Sequence, residues 1–202
     1  MERIKNSDLD KYYNKNTNRI ELNGDFEIDY ISTSKNLYCK GDLCCEGDLC
    51  CKGNLYCKGD LCCEGDLCCK GNLYCEGDLC CEGDLYCKGN LYCKGDLCCE
   101  GDLCCKGNLY CEGDLCCEGN LKIKNKLIKK YLRIGKIGSR NSDTIFYIPK
   151  RGKVFIKCGC WSGNIDDFKK RVKDQYNGSY YYDEYMATID YVMAMSKLNP
   201  TK

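Results

Sequence analysis

The side chains with the most chemistry to offer are 24 cysteines, in a chain of 202 residues that has no histidine. A thiol acts as nucleophile or soft-metal ligand only as the thiolate, which needs a neighbouring base, a cation or a helix N-terminus. Without histidine the commonest such base is missing, and histidine metal sites and histidine-dependent acyl transfer cannot be built. Two cysteines stand apart from the rest. Cys158 and Cys160 alternate with Gly159 at a predicted strand end, which points both thiols one way, and a helix predicted to begin near Asn164 offers activation. Two packed core thiols are the plainer reading, and zinc would need two more ligands from elsewhere in the chain or from another chain. Gly138-Ser139-Arg140 is a weak phosphate cradle, and a plain turn on the simpler reading. The expectation is a protein that is not an enzyme, with no catalytic residue, no metal and no cofactor assigned.

The other cysteines are ordered by a repeat. From Leu37 the chain reads Leu-(Tyr/Cys)-Cys-(Lys/Glu)-Gly-(Asp/Asn) fourteen times without a slip. Positions one and three alternate with two and four, the period of a strand with one buried face. Glycine followed by Asp or Asn is turn chemistry. Glycine admits φ > 0, and Asp or Asn tolerates the same region or bonds its own backbone. Each hexad thus predicts a strand of about four residues and a corner. A helix is excluded, because a glycine in every hexad costs about 1 kcal/mol each. Collagen is excluded because it needs glycine at every third residue.

Three hexads make one coil. Asn54, Asn72, Asn90 and Asn108 recur eighteen residues apart, and so do Tyr38, Tyr56, Tyr74, Tyr92 and Tyr110, with Tyr86 the one extra. The fourth position is Glu46, Glu64, Glu82, Glu100 and Glu118 in one phase and Lys52, Lys70, Lys88 and Lys106 in the next. The third phase is mixed: Lys40, Lys58, Glu76, Lys94 and Glu112. The predicted fold is mainly β, a triangular parallel β-solenoid followed by a small α+β domain. Stacking at about 4.8 Å per coil carries Leu and Cys ladders inward. Outward run a tyrosine ladder, a glutamate stripe beside exposed thiols (Cys44, Cys62, Cys80, Cys98 and Cys116) and a lysine stripe. Five stacked glutamates are tolerable only if screened, paired around the corner with lysine, or neutralised by a ligand. The tyrosine ladder and the glutamate stripe are the candidate partner-binding residues. The exposed thiols suit soft metals or oxidative cross-linking, against the simpler reading that duplication merely copied them.

Residues 1–19 are polar and expected to be mobile or a short helix. The solenoid with its caps is expected over residues 20–131, with regular repeats over 37–120. Ile20, Leu22, Phe26, Ile28 and Ile31 form one cap, and Leu121, Ile123, Leu127, Leu132, Ile134 and Ile137 the other, each about one coil. Residues 132–202 predict the α+β domain. Two strands, 144–148 and 154–158, are joined by a turn at Pro149-Lys-Arg-Gly152. A helix capped by Ser162 or Asn164 follows, then a second after Gly178. The N-terminus has no apolar secretion segment, and no apolar stretch is long enough to span a bilayer. A cytoplasmic protein with reduced thiols and no membrane contact is expected.

Charge is segregated. Residues 37–120 carry 7 basic and 16 acidic groups, and residues 121–202 carry 18 and 7. The basic module, with Lys122, Lys124, Lys126, Lys129, Lys130, Arg133 and Arg140, suits nucleic acid or an acidic protein surface, although few aromatics interleave for base stacking. A basic end beside an acidic rod equally suits head-to-tail self-association.

The rungs Gly-Asp-Leu-x-Cys and Gly-Asn-Leu-x-Cys resemble those of the bactofilin class among hexapeptide-repeat β-solenoids, and this resemblance implies a polymer-forming β-helix. Ile137-Gly-Ser-Arg140, Cys158-Gly-Cys-Trp-Ser-Gly163 and the two helices, over residues 134–195, resemble a module that follows repeat arrays in phage and mobile-element proteins. That resemblance implies provenance and architecture but no activity. The functional expectation is a structural or interaction protein presenting solenoid faces to a protein partner or to itself. The alternatives are a nucleic-acid-binding or nucleic-acid-mimicking protein, and a cysteine-dependent enzyme in the C-terminal domain.

Overall fold

The computed structural model describes residues 1–135, 137–139, 143–159 and 161–197. The chain forms two compact units, Met1–Asn125 and Lys126–Lys202.

The first unit is a parallel β-solenoid with three hexads per coil. Each repeat strand is three residues long, Leu-x-Cys, as in Leu61–Cys63 or Leu73–Cys75. The other three residues of the hexad make the corner. Strands pair in parallel with the strand eighteen residues on: Leu61 faces Leu79, Leu67 faces Leu85 and Leu73 faces Leu91. Three sheets result. One carries the tyrosines, one carries the column Cys44 to Cys116, and one carries Cys50, Cys68, Tyr86, Cys104 and Lys122.

The core is two ladders, of leucine and of cysteine, with Leu61, Leu67, Cys57 and Cys75 all fully buried. Burying a leucine contributes about 1.5–3 kcal/mol. Cysteine adds something a same-sized aliphatic cannot. The Cys57 thiol donates to the carbonyls of Gly41 (3.2 Å) and Asp60 (3.4 Å), and Cys75 repeats this on Gly59 and Asp78. A weak S–H donor is thus spent on corner carbonyls in every coil.

The corner chemistry differs from the turn expectation. No glycine of the hexads has positive φ. Glycine is required there by clearance: a Cβ on Gly77 would lie 2.1 Å from Asp60 Oδ1 and 2.7 Å from the Gly59 carbonyl carbon. The Asp and Asn side chains do not bond their own turn either. From Asp42 to Asp102 each Oδ1 accepts the backbone N–H of the equivalent residue one coil later, as Asp60 does from Asp78 (2.8 Å), Asp66 from Asp84 (2.8 Å) and Asn54 from Asn72 (2.8 Å). The corners are therefore hydrogen-bonded ladders parallel to the sheets.

The upstream cap is as expected, with Ile20, Leu22, Phe26, Ile28 and Ile31 buried and in register with the first repeat coil. Of the two expectations for residues 1–19, the short helix is the one found, and strands flank it. Glu2–Ile4 adds a parallel strand against Phe26–Ile28, a 3-10 helix covers Asn6–Tyr12, and Tyr13–Asn14 pairs antiparallel with Arg19–Leu22. Leu9 plugs the end, and Asn6 Oδ1 accepts the Ser32 N–H (2.8 Å), closing the first strand of the third sheet. At the other end the strand Leu115–Cys117 is the last of its sheet and only half-buried.

The downstream cap is shorter than expected. Leu121–Ile123 continues the coil, but Lys124 and Asn125 then take φ of 50° and 60°, which ends it. Leu127, Leu132 and Ile134 belong to a strand of the second unit, Lys126–Ile134.

That unit is an antiparallel sheet in the order Lys126–Ile134, Thr144–Pro149, Phe155–Cys158 and Trp161–Asn164, with two helices, α1 (Ile165–Tyr176) and α2 (Tyr180–Lys197). Of the two expected caps for α1, Asn164 is the one used, its Oδ1 accepting from the N–H groups of Asp166 and Asp167. Phe146, Ile148 and Ile156 on the sheet pack with Phe168 and Val172 of α1 and with Tyr185, Ile189 and Val192 of α2.

Candidate functional site

The solenoid holds its polar side chains in columns, one residue per coil. The tyrosine column is a continuous stack. Tyr38, Tyr56, Tyr74, Tyr92 and Tyr110 have successive ring centroids 4.8, 4.8, 4.7 and 4.6 Å apart, with Arg19 over the first ring at 4.4 Å. The corner beside it looks unpatterned in sequence, yet Glu76, Lys94 and Glu112 each answer the tyrosine of the coil below. The Tyr56 hydroxyl donates to Glu76 and that of Tyr92 to Glu112, whereas Lys94 lies 5.7 Å from the Tyr74 ring and 3.0 Å from Glu76. Burial, with the bond to the carboxylate, pushes the Tyr56 and Tyr92 hydroxyls well above the usual phenol range. The Tyr56 hydroxyl and Lys94 hold the Glu76 carboxyl below its ordinary value. At this corner Glu76, Lys94 and Glu112 are compensated within the chain.

The other two corners are not. Glu46 is paired with Arg3 of the N-terminal cap, but Glu64, Glu82, Glu100 and Glu118 have no ion pair or side-chain hydrogen bond among the described residues. Asp48, Asp66, Asp84 and Asp102 run along the same corner. The opposite corner carries Lys52, Lys70 and Lys88, also without side-chain partners among the described residues, and Lys106, which lies 5.4 Å from the Tyr86 ring. Lys124 is the fifth member of that column, because its N–H bonds Cys105 O as the Lys106 N–H bonds Cys87 O. Sequence reading had placed Lys124 in the basic module. Its position eighteen residues beyond Lys106 was the available signal.

Several outward thiols are held in their protonated form. Burial pushes Cys62 up to about 12, with Cys44 and Cys80 one coil away adding repulsion for a second thiolate, and Cys80 and Cys98 are raised by the same partial burial. Every described cysteine is free, and no cluster of three metal-ligating side chains occurs among the described residues.

In the second unit Cys158 is buried and its sulfur accepts the Thr144 hydroxyl at 3.3 Å. The chain turns at Gly159 (φ 58°), so the extended alternation that would align Cys158 with Cys160 stops there. Cys160 and Arg140 lie outside the described residues. The N-terminus of α1 is taken by Asn164 and carries Asp166 and Asp167 in its first turn, which disfavours a nearby thiolate. A cavity of about 10 Å³, lined by Cys158, Trp161, Phe168, Arg171, Tyr176 and Tyr185, holds no more than one water. Gly138 is no phosphate cradle. Its N–H donates to Glu184 Oε2 (2.7 Å), and a Cβ there would strike the Tyr185 ring. Of the basic module, Lys122 and Lys124 fall in the solenoid unit, while Lys126, Lys129, Lys130 and Arg133 lie on one strand of the second unit. Arg133 is paired with Asp143.

Among the described residues no helix is long and apolar enough to cross a membrane. No family model matches the chain, and no curated protein or solved structure is significantly similar to it.

Proposed function

We propose that the protein works by display, as a non-enzymatic structural or interaction protein whose solenoid holds outward columns for a protein partner or a second copy of itself. The observation that carries this reading is the glutamate column. Glu64, Glu82, Glu100 and Glu118 stack at one-coil spacing beside an aspartate ladder and have no cation of their own among the described residues. Like charges directly across neighbouring strands destabilise a sheet, so a partner of opposite sign would relieve a cost built into the fold. The reading includes a cytoplasmic location, where so many free thiols stay reduced.

The likeness of the rungs to bactofilins suits self-association. The N-terminal end is filled by its own cap, which favours association through the faces over end-to-end stacking there. A nucleic-acid role of phage or mobile-element type is the second reading, supported by Lys126, Lys129 and Lys130 on one exposed or half-exposed strand. It is weakened because Arg133 and Lys153 are already paired with Asp143 and Asp166.

The test is size-exclusion chromatography with light scattering in strong reductant, recording absorbance at 260 and 280 nm. The display reading expects an association state that changes when outward columns are substituted, while the circular dichroism spectrum does not. Co-eluting nucleic acid lost on reversing Lys126, Lys129 and Lys130 would favour the second reading.

A further inference from the structure

Of the three solenoid faces, one has unlike rims. Strand Leu67–Cys69 is preceded by the Glu64 corner and followed by the Lys70 corner, and the same holds for the strands above and below it. This face is therefore bordered along one edge by Glu46, Glu64, Glu82, Glu100 and Glu118, and along the other by Lys52, Lys70, Lys88, Lys106 and Lys124. Both columns advance one residue per coil, so their spacing is identical by construction.

The choice between Asp and Asn sharpens the contrast. At the glutamate corner the ladder residue is Asp, at the lysine corner it is Asn, and both accept the same bond from the next coil (Asp66 from Asp84 at 2.8 Å, Asn72 from Asn90 at 2.8 Å). The fold needs only an Oδ1 at these positions. The sorting leaves the glutamate rim doubly acidic, and leaves Lys52, Lys70 and Lys88 of the lysine rim beside a neutral ladder residue. Between the rims the outward residues are Cys50, Cys68, Tyr86, Cys104 and Lys122, and the small thiols at three of these five positions allow close approach of a second sheet there.

We propose that this face binds the same face of a second copy of the chain, in a parallel two-fold dimer whose glutamate rims meet the other copy's lysine rims. The proposal rests on the display reading and names its partner. A two-fold axis parallel to the coil axis swaps the rims, so that glutamate faces lysine on both edges over the full run of coils. An axis parallel to the strands sets glutamate against glutamate and is excluded by charge. Such a contact is isologous and closes, giving a dimer and not a fibre. Neither other face offers this, since the fourth positions of the corner between them mix Lys40, Lys58 and Lys94 with Glu76 and Glu112 and so form no rim of one sign.

The test is light scattering of the full chain in reductant at low salt, with two triple variants. Glu64→Lys, Glu82→Lys and Glu100→Lys together set lysine against lysine over the central coils, and Lys52→Glu, Lys70→Glu and Lys88→Glu together set glutamate against glutamate there. Wild type is expected as a dimer, and each triple variant as a monomer with its dissociation constant raised at least about 100-fold, since several rim pairs reverse at once. An equimolar mixture of the two variants is expected to form a heterodimer. Melting curves in each case report whether the solenoid is intact. A wild-type monomer at every concentration overturns the proposal, and leaves display to a different partner. A dimer indifferent to both reversals, or intact variants that do not recombine, also overturns it. Loss of the display reading itself would register differently, as nucleic acid co-eluting with all three proteins.

Discussion

Replacing Gly77 with alanine tests the clearance account of the corners. A Cβ at Gly77 would lie 2.1 Å from Asp60 Oδ1 and 2.8 Å from Gly59 O, far inside van der Waals contact. Neither neighbour can retreat freely. Gly59 O already accepts the Gly77 N–H at 3.2 Å, and Asp60 Oδ1 accepts the Asp78 N–H at 2.8 Å. Relief requires displacing the Asp60 carboxylate, which loses a hydrogen bond of about 1 kcal/mol. It also requires parting two coils, an overpacking cost of about 1–3 kcal/mol. The expected loss is therefore about 2–4 kcal/mol, read from urea unfolding followed by circular dichroism in reductant. Gly77→Asn separates clearance from backbone conformation. Asn enters the left-handed region more readily than Ala, so a φ requirement would make it the milder change, whereas clearance makes it the worse one. Gly77→Ala within 0.5 kcal/mol of wild type (roughly the ordinary surface-substitution range), or Gly77→Asn milder than Gly77→Ala, would refute the reasoning.

Asp60→Asn retains the Oδ1 acceptor and is expected to unfold within about 0.5 kcal/mol of wild type, whereas Asp60→Ala loses about 1 kcal/mol, in the same urea assay. Tyr56 and Tyr92 have folded pKa values raised above the unfolded value of about 10. Their contribution is present below that pH and lost as pH rises through the folded value, so melting temperature is expected to fall in alkali, and to fall less in Tyr56→Phe with Tyr92→Phe. Equal alkaline sensitivity in that variant would remove the hydroxyl–carboxylate account. With Cys62 pushed up to about 12, its native thiol at pH 8 is expected to react with an aromatic disulfide reagent at least about 10-fold slower than free cysteine, read by peptide mapping of the labelled chain. Denaturant should abolish the difference, and a native Cys62 labelled as fast as free cysteine would contradict it.

The solenoid was legible because a strict hexad leaves one solution for its buried face, and the eighteen-residue recurrence of Asn and Tyr gave the coil. What sequence reasoning missed was longer in range. Positive φ seemed the natural need of a repeated glycine, but the residues that exclude a Cβ lie one coil earlier and are invisible in a hexad read alone. The same rule, had it been known, marks where the solenoid ends. Gly119 is the last stacked corner glycine, and Asn125 stands where the next is due. Leu127, Leu132 and Ile134 could not announce a new antiparallel strand, because alternation looks the same in either direction. Glu2–Ile4 escaped notice because a three-residue strand carries almost no periodic signal. Among candidate sites, the glutamate and lysine columns could be read directly. The balance of the mixed corner could not, since it rests on contacts such as Tyr56 with Glu76, twenty residues apart.

Sedimentation velocity in strong reductant across a range of ionic strength tests most directly whether the outward columns govern association. A species of twice the chain mass at low salt, dissociating to the single chain as salt screens the rims and carrying no excess 260 nm absorbance, is the predicted result. A single chain at all salt concentrations, or a polymer indifferent to salt, would contradict it.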